Sequence, residues 1–161
     1  MDPVNERVFF DAGLFIAGLL SGDPRHPEAW PLVEAARLGR IRACTDAGIL
    51  SEVYGALTWE KAQPRHEPDE AAEAVRLLIE PPSAIQVVET GAEVVLRALA
   101  LAAAHKLTAR RSHDARHAAA ALAAGLRSVY TYDVSDWQAF EADGLRIVGP
   151  ASVLRQLGQR V

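Results

Sequence analysis

The chain has 161 residues, of which half are hydrophobic and about a quarter are charged, as expected for one globular domain spanning residues 1–161. Its single cysteine, Cys44, excludes an internal disulfide and indicates a reducing, cytoplasmic setting. No apolar run is long enough to span a bilayer, so no membrane association is expected. A formal net charge of −4 disfavours nucleic-acid binding through bulk positive charge, and would require local arginines or a bridging metal instead.

Predicted strands and helices alternate along the chain. Apolar runs predict strands at 7–10, 41–44, 84–88, 128–132 and 145–148. Helical patterns predict helices at 13–20, 26–38, 46–61, 69–79, 91–106, 112–124 and 135–141, and a last helix opening at Pro150. This order indicates an α/β domain whose mainly parallel sheet is covered by helices on both faces.

Two of the predicted helices carry local signals. In the helix at 46–61, the expected buried stripe has i, i+3, i+4, i+7 spacing and consists of Leu50, Val53, Tyr54 and Leu57. In the helix at 112–124, Ser112 is the expected N-cap and Gly125 the expected stop.

Four acidic residues are predicted at the carboxyl-terminal edge of this sheet. Asp11 directly follows the first strand, and Asp133 directly follows the fourth. Asp114 lies in the first turn of the helix before the fourth strand, and Glu52 lies near the start of the helix after the second. Open parallel α/β sheets bind ligands beyond the carboxyl ends of their strands, which is also where their helices begin. Side chains from four distant segments are therefore expected to meet there.

Carboxylates that are brought together repel one another unless a counter-charge is present. Asp46 and Asp136 fall near the same edge and would add to the negative charge. Mg²⁺ and Mn²⁺ prefer oxygen ligands, and such an ion can activate water and offset charge developing on a phosphodiester. The pattern therefore indicates metal-dependent hydrolysis of a phosphodiester.

Each acid also has a simpler interpretation. Asp11 could cap the following helix, Asp114 could complement a helix dipole, and Asp133 could be a turn residue. Glu52 points away from the expected apolar stripe, which is typical of a solvated side chain. The common placement of all four at one edge favours the functional interpretation.

Other site types have weaker support. His113 and His117 have the i, i+4 spacing of a zinc-binding helix, but no glutamate completes an HExxH pattern. A strand ending in Asp11 also opens phosphatases of the haloacid-dehalogenase kind, but these need a second acid at the position of Gly13. No glycine-rich nucleotide-binding loop is found.

Four segments resemble, in order, the motifs of PIN domains. The segments are 10–16, 49–54, 112–121 and 130–137, and they carry Asp11, Glu52, Asp114 and Asp133, with Thr131 and Asp136 also matching the last motif. The resemblance extends from Val8 to about Pro150. Within the family, the chain is most similar to the VapC toxins of bacterial type II toxin–antitoxin systems.

The resemblance implies a PIN-like three-layer α/β/α domain with a five-stranded, mainly parallel sheet. It also implies a Mg²⁺- or Mn²⁺-dependent endoribonuclease that forms a homodimer and is inhibited by a small antitoxin reaching the acidic cleft. Asp11, Asp114 and Asp133 are the expected metal ligands, Asp136 is a further candidate, and Glu52 would bind the metal directly or through water.

Substrate contacts are expected from neighbouring side chains. Thr131 would hydrogen-bond an acid or a phosphate oxygen, and Arg110, Arg111 and Arg116 beside Asp114 would contact the RNA backbone. The alternative for these arginines is solvated surface charge.

The chain departs from the family pattern directly after Asp11. Many relatives carry Thr-Asn or Ser-Asn there, whereas this chain has Ala12 and Gly13, so a supporting hydroxyl and amide are missing. This leaves an alternative function open, in which a PIN-like module binds RNA or a partner protein but cuts weakly or not at all.

Overall fold

The computed structural model describes residues 5–159, in which five strands form one sheet. The strands are β1 (Arg7–Phe10), β2 (Arg42–Thr45), β3 (Gln86–Val87), β4 (Ser128–Tyr130) and β5 (Arg146–Val148). Their order across the sheet is β3-β2-β1-β4-β5, and every neighbouring pair is parallel. The predicted five-stranded parallel sheet is confirmed.

Eight α-helices connect and flank the strands in this part of the chain. They are α1 (Ala12–Leu19), α2 (His26–Arg37), α3 (Ala47–Thr58), α4 (Pro68–Ile79), α5 (Ala92–Ala104), α6 (Ser112–Ala123), α7 (Val134–Trp137) and α8 (Pro150–Gly158). Short 3₁₀ segments at Ala109–Arg111 and Gln138–Asp143 precede α6 and follow α7. Within residues 5–159, no helix combines the length and apolarity needed to cross a membrane.

The strand order explains why helices cover both faces of the sheet. The chain moves from β1 to β2 and β3 in one direction, then returns past β1 to β4 and β5. Because parallel crossovers are almost always right-handed, opposite directions place the connecting helices on opposite faces. Accordingly, α1 packs against α2 and α3, and α3 against α4, whereas α5 packs against α6. The direction reverses between β1 and β4, which is where open α/β sheets bind ligands.

The centre of the sheet is fully buried. Phe9 and Phe10 of β1 and Val129 of β4 have no exposed surface, as expected for strands covered on both faces. Alanines fill the buried face of α6, and their small side chains let this helix approach the sheet closely. The sheet edge that follows β1 and β4 is therefore built on a rigid core.

The buried face of α3 differs from the predicted stripe. Ile49, Val53 and Leu57 are completely buried, whereas Tyr54 is 38% exposed. Since each helical residue turns the chain by about 100°, this change of face moves Glu52 from the solvent side of the helix to its flank. The alternative interpretation of Glu52 as a solvated side chain was therefore based on the wrong stripe.

Two further elements differ clearly from the predictions. Of the predicted strand at 84–88, Gln86 and Val87 form β3, and the Val88 amide also donates to the Thr45 carbonyl of β2. The Ala84 amide instead donates to the Arg37 carbonyl at the end of α2, which keeps the start of this segment out of the sheet. The single helix predicted at 135–141 is α7 followed by a 3₁₀ segment that ends at Gly144, where φ is +98°.

The predicted N-cap of α6 was wrong, although the predicted start of the helix at Ser112 was right. Ser112 is the first residue of the helix rather than its N-cap, because a 3₁₀ turn leads directly into α6 and the Ser112 hydroxyl donates to the Ala109 carbonyl. Gly125, with φ +77°, follows the end of α6 and confirms the predicted stop.

Candidate active site

Asp11 lies at the end of β1, and both of its carboxylate oxygens are hydrogen-bonded. Oδ1 accepts from the Ala12 amide at 2.9 Å, so Asp11 caps α1 as its simpler interpretation requires. Oδ2 accepts from the Thr131 hydroxyl at 2.7 Å and from the Trp137 ring nitrogen at 3.1 Å. The side chain is thus fixed between the segments that follow β1 and β4, with only 6% of the residue exposed.

The surroundings of Asp11 and Asp114 destabilise the charged forms of both carboxylates. Burial raises the pKa of Asp11 above its ordinary value, although its hydrogen bonds oppose the rise. Burial, followed by the negative charges of Asp11 and Asp136, raises the pKa of Asp114 to about 6. Asp133, which is exposed, adds negative charge to both. These four acids therefore interact electrostatically at the β1–β4 edge of the sheet.

Glu52 belongs to a second group, which is centred on His117. Nδ1 of His117 lies 2.7 Å from Oδ2 of Asp46, and Nε2 lies 2.9 Å from Oε1 of Glu52. His117 and Asp46 are buried, whereas the Glu52 side chain is 38% exposed. Asp46 also caps α3, because its Oδ1 accepts from the Ile49 amide at 2.8 Å.

His117 carries a positive charge that acts on both groups of acids. Burial by itself lowers the pKa of an imidazole, but hydrogen bonds to Asp46 and Glu52 outweigh it and raise the pKa of His117 to about 9. The same contact with His117 holds the pKa of Asp46 below its usual range despite burial. The charge of His117 also lowers the pKa values of Asp11 and Asp114. The buried imidazolium of His117 therefore interacts with acids of both groups.

The roles of Asp46, His117 and Trp137 as partners of the acids were not predicted from the sequence. His117 was considered only with His113 as a zinc pair, but both of its ring nitrogens contact carboxylates, and His113 is exposed. One signal was available, because His117 follows Asp114 by three residues and so shares a helix face with it.

The acids provide oxygen donors suited to a divalent cation. Among residues 5–159, no three His, Cys, Asp or Glu side chains converge as a finished metal site. Mg²⁺, however, is usually bound through one or two carboxylates and keeps several water ligands. The mutual repulsion of Asp11 and Asp114, which a cation would relieve, fits this kind of site.

The three arginines predicted to contact substrate lie on or next to α6. Nη2 of Arg111 is 3.8 Å from Oδ1 of Asp136, and Nη2 of Arg116 is 4.0 Å from Oε1 of Glu52. Arg110 is exposed. Two of the three arginines thus face predicted acids, at the long distances of weak, partly exposed ion pairs.

Several solved structures share this fold. VapC20 of Mycobacterium tuberculosis, a toxin that cleaves the sarcin–ricin loop, superposes with a TM-score of 0.65 at 21% identity, covering 86% of this chain and 96% of that one. A toxin–antitoxin complex from Klebsiella pneumoniae gives 0.60 at 19% identity, covering 89% and 97%. VapBC2 of Rickettsia felis, bound to a fragment of its promoter DNA, gives 0.60 at 11% identity, covering 89% and 98%.

Sequence comparison gives the family. No curated protein sequence matches the chain. Residues 8–139, however, match the model of the PIN domain, a span that contains all the predicted acids and most of the sheet. Since this match covers well over half of the chain, the chain belongs to the PIN-domain family.

Proposed function

We propose that this chain is a Mg²⁺- or Mn²⁺-dependent endoribonuclease and the toxin of a bacterial toxin–antitoxin pair. The observation that carries the proposal is the set of carboxylates at the β1–β4 edge, where burial and neighbouring negative charge raise the pKa of Asp114 to about 6. Membership of the PIN-domain family supports nuclease chemistry. The fold shared with VapC20, which cleaves the sarcin–ricin loop, supports RNA as the substrate.

In the proposed mechanism, Asp11, Asp114 and Asp133 would hold the cation, and Asp136 would be a further candidate ligand. Glu52 would bind the cation directly or through a water molecule. A bound divalent cation would make water a better nucleophile and offset charge developing on the scissile phosphate. Thr131 and Trp137 keep the Asp11 carboxylate in one orientation by donating to its Oδ2 atom.

Arg110, Arg111 and Arg116 would bind the phosphates of the RNA substrate. Arg116 lines a cavity of about 230 Å³ beside Asp46 and Gly48, and its Nε atom is buried without a hydrogen-bond partner among the described residues. A phosphate in this cavity would lie beside the Arg116 guanidinium. Local positive charge at α6 is also what an acidic chain would need to hold RNA.

We also infer the partners and setting of the protein. Toxins with this fold are found in complexes with antitoxins, so a small antitoxin that reaches the acids is the proposed inhibitor. A homodimer in the cytoplasm is proposed as well. Exposed apolar side chains on α5, at Val95, Leu96 and Leu99, provide a surface for one of these contacts.

The alternative is a PIN-like module that binds RNA or a partner without efficient cleavage. It is favoured by the missing hydroxyl and amide at Ala12 and Gly13, and by the lack of a finished metal site within residues 5–159. Against it, Asp11 receives hydrogen bonds from Thr131 and Trp137, which supply the support that the missing groups would give.

A cleavage assay with labelled RNA and Mn²⁺ tests the proposal. Asp11→Asn keeps the shape of the side chain but removes its charge, and we expect it to lower the rate on the order of 100-fold or more. Asp69→Asn on the exposed start of α4 is the matched control and should cleave normally. Equal cleavage by wild type and Asp11→Asn would refute the mechanism, and RNA binding without cleavage by wild type would favour the alternative.

A further inference from the structure

His117 is enclosed by three segments that are distant in sequence. It projects from α6 between Asp46, which follows β2, and Glu52 in the second turn of α3. Its ring packs at a tilt against Phe9 of β1, with 6.4 Å between the ring centroids. An imidazole placed in this way has little freedom to move.

Asp46 fixes His117 to the start of α3. One carboxylate oxygen accepts from the Ile49 amide and the other faces Nδ1 of His117, so a single side chain joins the cap of α3 to α6. Gly48 allows the close approach, because an added Cβ atom would lie 2.7 Å from Nη2 of Arg116 and 3.0 Å from Cε1 of His117. The first turn of α3 is therefore packed directly onto the imidazole.

Glu52, in contrast, has few restraints of its own. Its side chain is 38% exposed and has several rotatable bonds, which favour many solvated conformations. Nε2 of His117 is its hydrogen-bond partner at 2.9 Å, and the Arg116 guanidinium is farther away, at 4.0 Å. The direction of the Glu52 carboxylate thus depends mainly on His117.

We propose that His117 is a positioning residue that is held by Asp46 and keeps the Glu52 carboxylate directed at the acidic edge of the sheet. This inference rests on the proposed function, because Glu52 needs a fixed direction only if the site cleaves RNA. His117 itself does not contact the substrate in this scheme. Its effect on catalysis passes through Glu52.

Two substitutions separate the contacts of His117. His117→Asn places an amide nitrogen near the position of Nδ1 and keeps a donor for Asp46, but leaves Glu52 without its partner. His117→Gln places an amide nitrogen near the position of Nε2 and keeps a donor for Glu52. We expect His117→Asn to lower kcat by about 10- to 100-fold with KM nearly unchanged, and His117→Gln to recover at least part of this loss.

A double-mutant cycle with Glu52→Gln tests whether the effect passes through Glu52. If it does, His117→Asn should cause no further loss of kcat in the Glu52→Gln background. His105→Asn is the matched control, because Nε2 of His105 lies 2.6 Å from an Asp143 oxygen outside the site, and it should cleave RNA at the wild-type rate. Equal fold-losses in both backgrounds would overturn the inference and leave the proposed function intact. An inactive wild-type chain would defeat both.

A spectroscopic measurement applies even if the His117 variants do not fold. In ¹⁵N-histidine NMR spectra, Glu52→Gln should shift the Nε2 resonance of His117 and leave the Nδ1 resonance, which reports on Asp46, nearly unchanged. A Nε2 resonance that does not respond to Glu52→Gln would mean that the two side chains are not in contact in solution. The positioning role would then be wrong.

Discussion

At the scale of single residues, the site combines carboxylates whose charged forms are destabilised with side chains that hold these carboxylates in place. Burial raises the pKa of Asp11 and of Asp114, so ionisation of either group opposes folding. Hydrogen bonds from Thr131 and Trp137 and the charge of His117 compensate part of this strain. A carboxylate held in one orientation in this way can bind a cation with little reorganisation.

Thr131→Val tests the support of Asp11. The substitution keeps the size of the side chain, but removes the donor to Asp11 and the acceptor that the Asp133 amide uses at 3.0 Å. We expect cleavage to fall about tenfold and the free energy of unfolding to fall by about 1 kcal/mol, measured by kinetics and urea denaturation. Thr58→Val, which removes a hydroxyl bonded within α3, is the control. An unchanged rate for Thr131→Val would show that Asp11 does not need this hydrogen bond.

The position of each acid relative to a strand could be predicted from the sequence, but the partners of the acids could not. Asp11 and Asp133 directly follow apolar runs, which is a local signal. Asp46 and His117, in contrast, are 71 residues apart, and Asp11 and Trp137 are 126 residues apart. No periodicity connects such pairs, because they form only when the sheet brings the segments together.

At the scale of secondary-structure elements, α3 shows where an apolar pattern is ambiguous. Ile49 and Leu50 are both apolar, so the buried face can be drawn from either, together with Val53 and Leu57. Packing of α3 against α1 and α4 selects the face with Ile49 and leaves Tyr54 partly exposed. Tertiary contacts thus decided the rotation of the helix, and with it the position of Glu52.

Substitutions of Asp46 test how α3 is joined to α6. Asp46→Ala removes the cap of α3 and leaves the buried His117 cation with one partner, so we expect a loss of about 3 kcal/mol in the free energy of unfolding. Asp46→Asn keeps an acceptor for the Ile49 amide and should lose roughly half as much. Urea denaturation measures both changes. Equal losses for the two variants would mean that the cap contributes nothing.

At the scale of the whole molecule, the reversal of chain direction between β1 and β4 creates the acidic edge. It places Asp11 and the segment of Thr131 and Asp133 side by side, since β1 and β4 are adjacent parallel strands. Alternation of strands and helices was enough to predict a parallel sheet with its acids at one edge. The order of the strands does not follow from that alternation, because it depends on which apolar surfaces pack together.

The pKa shifts of the site predict how the stability of the metal-free protein depends on pH. The pKa of Asp114 is about 6 in the folded protein against 3.8 ordinarily, so the folded state is favoured at low pH and loses stability as the pH rises from about 4 to 6. The pKa of His117 is about 9 against 6.5, so its contribution is complete below pH 6.5 and is lost as the pH rises through 9. Asp46, whose pKa is lowered, loses its contribution only in acid.

Stability without metal should therefore be highest near pH 5 and should fall towards pH 9, which urea denaturation in EDTA would measure. The pH-dependent contribution of His117 to the free energy of unfolding is on the order of 3 kcal/mol. The contribution of half-exposed Asp114 is about 1 kcal/mol after solvent screening. His117→Gln should flatten the curve between pH 6.5 and 9, and Asp114→Asn should flatten it between pH 4 and 6. A wild-type protein that is more stable at pH 9 than at pH 5 would contradict the arrangement, because the two raised pKa values require the opposite slope.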